Sequence, residues 1–362
     1  MNLDDTSTFA QFDTQNMLAE IDELPEQLLN AWDWGNSLPL PGWEGIQHVL
    51  IAGMGGSAIG GDLLAAYIAP NCPLPAFVHR DYDLPAWASG PETLVIASSH
   101  SGNTEETLSA FEQAQANKCR VLAVTTGGRL AQAASEVDAA LWQFQHDGQP
   151  RAAVGYSFSL LLAALTRLGL LPDPSSELRA TVAAMQEQKK GLTPDVPVHE
   201  NAAKRLAGQM MGRWVTVIGA GILAPVARRL KGQINELAKT WGQFESLPEA
   251  DHNTLAGVVN PEPALLHAMV LFLRAHSYHP RNALRTKLTK KRFMLEGLNT
   301  DYINARGKTR LDHLWTSLHF GDYSAYYLAM AYGVDPTPVA AIESLKADMK
   351  AAGGTGDWKV EA

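Results

Sequence analysis

Cysteine is nearly absent. Cys72 and Cys119 are the only two in 362 residues, so neither a disulfide framework nor a cysteine-based zinc site follows, and a reducing cytoplasmic setting is expected. Eleven histidines occur, but none shows the His-x-His or His-Glu-x-x-His spacing that brings two ligands together, so no metal is expected. Positive charge is in short supply: 29 Lys and Arg face 38 Asp and Glu, a formal net charge of -9. That balance disfavours nucleic acid and anionic membranes as partners, because both are polyanions. The basic run "RNALRTKLTKKR" (281–292) is therefore read as a solvated helix face or part of a dimer contact. Long apolar runs are missing too. "YSFSLLLAALTRLGLL" (156–171) is short for a membrane span and carries Arg167, so a buried helix is expected there. "MNLDDTSTFAQFD" is acidic and lacks the basic-then-apolar order of a signal peptide.

What is present is a large apolar fraction, 46%, over a length too great for one comfortable core; two domains are expected. Residues 15–34 carry helical spacing. "HVLIAG", "AFVHR", "TLVIASS" and "RVLAVTT" are short apolar runs of strand type, with helical segments between them. Runs with little alternation suggest a parallel sheet covered on both faces. Past the Pro-marked gap "HDGQPRAAVGY", the long apolar helix is followed by two more over 175–208, separated by "GLTPDVP". The pattern then restarts with "RWVTVIGAGILAPVARRLKGQINELAK", and "ALLHAMVLFLRA" holds a further candidate strand before the basic helix. The expectation is an α/β protein of two tandem units, with residues 1–153 and 195–362 as domains, 154–194 as a helical linker, and helical N- and C-terminal segments.

Two glycine turns each follow a strand and open a helix: Gly53-x-Gly55-x-x-Ala58 and Gly219-x-Gly221-x-x-Ala224. Such turns let a backbone approach an anion at a helix N-terminus, whether dinucleotide or any other phosphate. Tight packing without a ligand explains them equally well at the second copy. Against a dinucleotide, the first copy runs on as "GGSAIGG", and "FVHRDYD" puts His79 and Arg80 ahead of any acidic residue. A second turn, "SSHSGNTEET", concentrates hydroxyls after the third strand. One of Ser101 and Thr104 is expected to cap the next helix. Four hydroxyls so close together exceed that need, and they suit a phosphomonoester's many acceptors. In a parallel sheet both turns lie at the carboxyl edge, where ligands bind. Gly55, Gly56, Ser57, Ser99, Ser101 and Thr104 are the candidate phosphate-binding residues.

"GMGGSAIGGD" followed by "SSHSGNTEET" resembles the sugar isomerase (SIS) domain. With "PRAAVGYSF", "KGQINELAK", "LPEADHNTLAG" and "GVDPTPVAAIESLK", nearly the whole chain resembles the bifunctional phosphoglucose/phosphomannose isomerases of bacteria and archaea. That resemblance implies two SIS domains, each a flavodoxin-like three-layer sandwich. It also implies a cytoplasmic homodimer with sites at the subunit contacts, a small sugar phosphate as substrate, and no cofactor or metal.

Aldose–ketose isomerisation needs a base to carry a proton between C1 and C2, a group to open the ring, and a cation for the enediolate. The resemblance puts Glu236 in the first role, His252 in the second, in its own or a partner's site, and Arg151 in the third. It places Lys346 on the bound sugar. Each has a plain alternative: Glu236 as a surface glutamate beside Lys231 and Lys239, His252 as a loop histidine, Arg151 as an interdomain ion pair, Lys346 as an exposed helix lysine. The family pattern Asn-His-Asn-Glu is here Asp251-His252-Asn253-Thr254, which puts the orientation of His252 in question. His100 stands where the family usually has a tyrosine; its side chain is expected to turn from the phosphate, without a chemical role. The rival functions are a non-catalytic sugar-phosphate sensor and an isomerase for another phosphosugar. Neither an effector module nor an early nucleophilic cysteine is visible in support of them.

Overall fold

The structure, a computed structural model, describes residues 2–353. Three short helices lead in: α1 (Phe9–Phe12), α2 (Met17–Asp22) and α3 (Leu24–Ser37). The single helix expected over 15–34 is thus two, broken at Glu23 with Pro25 in the first turn of α3, a position where its missing N–H costs nothing.

The first unit runs β1 (His48–Ala52), α4 (Gly55–Ile68), β2 (Ala76–His79), β3 (Thr93–Ser99), α5 (Glu105–Ala116), β4 (Arg120–Thr125), α6 (Gly128–Glu136) and β5 (Ala140–Gln143). Its sheet is parallel throughout, in the order β2-β1-β3-β4-β5. All seven residues of β3 are buried; a central parallel strand is covered on both faces, which is why it reads as an unbroken apolar run.

Helices α7 (Val154–Arg167), α8 (Ser175–Lys189) and α9 (Ala202–Met210) follow. The apolar run at 156–171 is largely the buried helix expected: α7 packs on α3 and α4. Its end falls at Arg167, and Gly169 turns the chain with a left-handed φ of +73°. The second unit comprises β6 (Trp214–Ala220), α10 (Ala224–Glu236), β7 (Gly242–Leu247), α11 (Glu262–Leu265), β8 (Ala268–Arg274), α12 (Pro280–Leu295), β9 (Asn299–Asn304), α13 (Arg310–Tyr332) and α14 (Ala340–Ala352). Its parallel sheet has the order β7-β6-β8-β9.

One continuous core joins the units. Helix α13 is buried along nearly its whole length, packs against α8, α9 and α10, and meets α7 through the edge-to-face pair Phe158–Trp315, 5.1 Å between centroids. A capping box at Thr309 and Asp312 starts α13, and Gly333 ends it in the left-handed region, the start and stop signals expected of a long helix. A smaller core lies on the other face of the first sheet, under α5 and α6. Among the described residues no helix is long and apolar enough to cross a membrane.

Candidate active site

Strand order reverses direction between β1 and β3, so the turns after these strands open a crevice at the carboxyl edge of the sheet. The two glycine- and hydroxyl-rich turns are those turns. Gly53 is essential to their closeness: a Cβ there would stand 2.7 Å from the Ser98 carbonyl oxygen. Gly55 begins α4 at φ +50°, a conformation glycine adopts without penalty. The Ser57 hydroxyl accepts the His100 backbone N–H (3.2 Å) and ties the turns together. In the second turn Ser99 Oγ accepts from the Gly102 N–H (3.1 Å) and bonds Thr104 Oγ1 (3.0 Å), and Ser101 Oγ accepts from the Asn103 N–H (3.2 Å). Ser57 and Ser101 thereby spend a lone pair on the backbone and keep a hydroxyl proton to donate.

The expected helix cap is not made. Thr104 occupies the position before α5, but its side chain bonds Ser99 and caps nothing; Met54 before α4 cannot cap. By contrast α9 and α13 have side-chain caps from Asn201 and Thr309. Helices α4 and α5 therefore present free N–H groups and positive dipole ends at the crevice, the ordinary provision for an anion.

Beside this crevice lies a cavity of about 350 Å³ lined by Gly55, Gly56, Arg80, Arg151, Arg228 and Glu236, among others. Arg151 sits in a 3-10 turn, Pro150–Ala152, that presses on α4; a Cβ on Gly56 would lie 2.9 Å from the Pro150 carbonyl carbon. The Arg151 side chain is buried. One Nη donates to the carbonyls of Pro336 (2.9 Å) and Thr337, and the other lies 3.6 Å from Glu236 Oε2. Burial pulls the Arg151 guanidinium down from its usual value, with Glu236 opposing. Glu236 ends α10, with a third of its side chain exposed to the cavity and solvent. Lys239 bonds the backbone carbonyls of Glu236 and Leu237 at the end of α10, so it does not take the carboxylate from Arg151. The interdomain contact considered for Arg151 is real, and it is made to the candidate base. A larger groove of about 780 Å³ adjoins, sharing Lys231 and Glu236 and walled by Trp241, Asp335 and the first turn of α14.

Family models for the SIS domain and for the bacterial phospho-glucose isomerase C-terminal SIS domain match residues 45–142 and 199–349. A bifunctional phosphoglucose/phosphomannose isomerase from Caldicellulosiruptor bescii is 38% identical over 334 residues, 91% of this chain and 98% of that protein. One from Aquifex aeolicus is 30% identical over 335 residues, 92% of this chain and 99% of its own length. The chain belongs to the bifunctional phosphoglucose/phosphomannose isomerase family. The fold agrees: a hypothetical protein from Thermus thermophilus superposes with a TM-score of 0.70 at 16% identity, covering 95% of this chain and 92% of that one.

Of the site residues that family resemblance suggests, Gly55, Gly56, Arg151 and Glu236 meet on one cavity, with Ser57 a residue further into α4. Ser99, Ser101 and Thr104 stand in the adjoining turn. His252 and Lys346 are not brought there. His252 is exposed at the end of the 3-10 segment Glu249–His252, and Lys346 is exposed in the middle of α14. Asp251, one of the two departures from the family pattern, faces away to α12, where it accepts from Arg285 Nη1 (2.8 Å) and Thr289 Oγ1 (2.6 Å). It anchors the segment and leaves His252 free in solvent.

Several polar residues of the site were not singled out from sequence. Asp62 of α4 takes both Arg80 (2.5 Å) and Arg228 (3.1 Å), while Asp322 of α13 holds Arg229 through two bonds of 2.8 and 3.2 Å. Burial pushes Asp322 above the usual carboxylate range, and Arg229 and Gln233 pull against it. Arg229, Gln233 and Glu236 all line the cavity. Their spacing of i, i+4 and i+7 marks one helix face, a signal present in the sequence.

Proposed function

We propose that this protein interconverts glucose 6-phosphate and mannose 6-phosphate with fructose 6-phosphate, without metal or cofactor. The observation that carries the reading is the Arg151–Glu236 pair, 3.6 Å apart, beside two uncapped helix N-termini. The phosphate is held by the free N–H groups of α4 and α5 and by the Ser57 and Ser101 hydroxyls. Glu236 takes the proton from C2 of the open-chain aldose and returns it to C1, and does the reverse for the ketose. The charge that develops on the oxygens between these steps falls beside a buried guanidinium, where a fixed cation is most effective. A base that serves either face of C2 yields either epimer, so both aldoses are expected products.

His252 opens the ring from a second copy of the chain, and Lys346 contacts the sugar in the assembled dimer. Both are exposed here, and both sit near uncovered apolar stripes. Leu284, Leu288 and Leu295 share one face of α12, and Ile342, Leu345 and Met349 share one face of α14; all six are exposed. Covering such stripes with a second copy is the ordinary way to remove them from water. The protein is expected to work in the cytoplasm. The test is Glu236→Gln: sugar-phosphate binding persists while turnover falls by about 10²–10⁴ or more. Retained turnover would overturn the assignment.

A further inference from the structure

A chain of three titratable side chains ends on the hydroxyl turn and has no part in the chemistry above. Glu20 Oε2 of α2 lies 3.0 Å from His146 Nε2, and His146 Nδ1 lies 2.9 Å from His100 Nε2. The imidazoles stand nearly perpendicular, at 85°. His100 is the pivot of the anion-binding turn. Its N–H donates to Ser57 Oγ (3.2 Å), and its carbonyl accepts from the N–H (3.0 Å) and hydroxyl (2.7 Å) of Thr126. Two aromatic rings wall the half-buried chain: Phe144 packs edge-on against His100, and Tyr156 of α7 packs against His146 and stacks on Phe144. Gly148 belongs to it as well, since a Cβ at that position would overlap the Glu20 carboxylate. Among the described residues, Tyr156 and Arg151 are ionisable groups whose electrostatics include Glu20, and Glu23 acts on Tyr156.

We propose that the Glu20–His146–His100 chain takes up a proton when the doubly ionised phosphate of the sugar settles on the hydroxyl turn, and releases it with the product. The proposal rests on that turn being the phosphate site. With His146 Nε2 donating to Glu20 and neutral His100 donating from Nε2 to His146 Nδ1, both links are satisfied with the two rings neutral, so the proton taken up goes to His100 Nδ1. A second would set two imidazolium nitrogens 2.9 Å apart. In the free protein burial and His146 lower His100 to about 4, so its ring is neutral at physiological pH. A dianion arriving at the Ser57 and Ser101 hydroxyls, the first bonded to the His100 N–H and the second its chain neighbour, adds negative charge beside His100 and favours the protonated pair. The proton comes from the buffer and goes to an imidazole nitrogen; no bond of the sugar is touched. These are positioning residues, and their effect is to compensate charge at a turn whose own donors are all neutral.

The test is calorimetry of the intact protein with glucitol 6-phosphate, a phosphosugar with no carbonyl to isomerise, at pH 8. There the phosphate, with a second pKa of about 6, arrives already dianionic. Titrations in buffers of different ionisation enthalpy count the protons exchanged. Because His100 starts at about 4, the expected result is a fractional uptake by the wild type, well under one proton at pH 8 and larger at pH 7, and near zero by His146→Asn. Glu20→Gln, which keeps the hydrogen-bonding shape, is expected to cut the uptake by at least half, and it serves where the histidine variant does not fold. Enthalpies independent of buffer in the wild type, or uptake unchanged in both variants, would overturn the proposal. Ser57→Ala/Ser101→Ala separates this from failure of the phosphate assignment. If that variant binds glucitol 6-phosphate as tightly as the wild type, the turn is not the phosphate site and the proposal falls with it. If affinity drops about tenfold or more while the wild type takes up no proton, only the proton chain is refuted.

Discussion

Substituting Gly56 by alanine tests the geometry of the site without removing any chemical group. The new Cβ would lie 2.9 Å from the Pro150 carbonyl carbon and 3.3 Å from the Arg151 Cα. Carbon atoms prefer separations of about 3.5–4.0 Å, so the Pro150–Ala152 turn must retreat by roughly 1 Å. The obstacle is backbone, which has no rotamer to change. Arg151 rides on that turn, and its 3.6 Å contact with Glu236 opens by a similar amount. A displacement of about 1 Å in a catalytic constellation costs on the order of 10²-fold in rate, and overpacking of this kind costs about 1–3 kcal/mol of stability. The assay is kcat/KM for fructose 6-phosphate beside a urea titration followed by tryptophan fluorescence. Gly55→Ala is the control, for its added Cβ meets nothing within 4 Å and suffers only from the positive φ; it loses stability with a smaller loss of rate. A Gly56→Ala enzyme with wild-type kcat/KM would refute the claim that α4 sets the position of Arg151.

Other consequences concern burial and assembly. Asp322→Ala leaves the buried Arg229 guanidinium without its carboxylate, which is expected to destabilise by about 3–5 kcal/mol in the urea titration; a loss under about 1 kcal/mol would mean the pair contributes little. His319 is fully buried, bonds the Ile21 carbonyl (2.9 Å), and is lowered to about 4 by burial. The unfolded chain binds this proton near pH 6.5 and the folded one only near 4, so stability falls as pH drops through that window, by up to about 3 kcal/mol at its foot. His319→Gln should flatten this dependence of the urea midpoint. Mixing Glu236→Gln with His252→Ala subunits tests where His252 acts: if it serves the partner's site, each mixed dimer regains one intact site and activity returns. No recovery after subunit exchange would place it elsewhere.

Both turns that hold the candidate phosphate residues were legible because they interrupt apolar runs with glycine and hydroxyls, and strands β1, β2, β3, β4, β6 and β8 were legible as those runs. Strands β5, β7 and β9 were not. All three lie at sheet edges; "GQFESL" and "NTDYIN" are polar and only half-buried, as edge positions permit, so they lack the apolar signal. A cap from Ser101 or Thr104 was a reasonable local expectation, but the Thr104 hydroxyl is bonded to Ser99 and the Ser101 hydroxyl accepts from the Asn103 N–H. Asp62 and Asp322 escaped notice because an isolated acidic residue in a helix is ordinarily solvated. Their value comes from arginines that tertiary packing brings from far along the chain. The Glu20–His146–His100 chain joins residues up to 126 positions apart, and no local pattern announces it.

The central claim is tested most directly by offering the wild-type protein fructose 6-phosphate at neutral pH with excess chelator, and following glucose 6-phosphate and mannose 6-phosphate separately. The account predicts both aldoses, formed at rates the chelator leaves unchanged. Glucose 6-phosphate alone would contradict a base that serves both faces of C2. Neither product, with fructose 6-phosphate still raising the melting temperature, would contradict the isomerase itself.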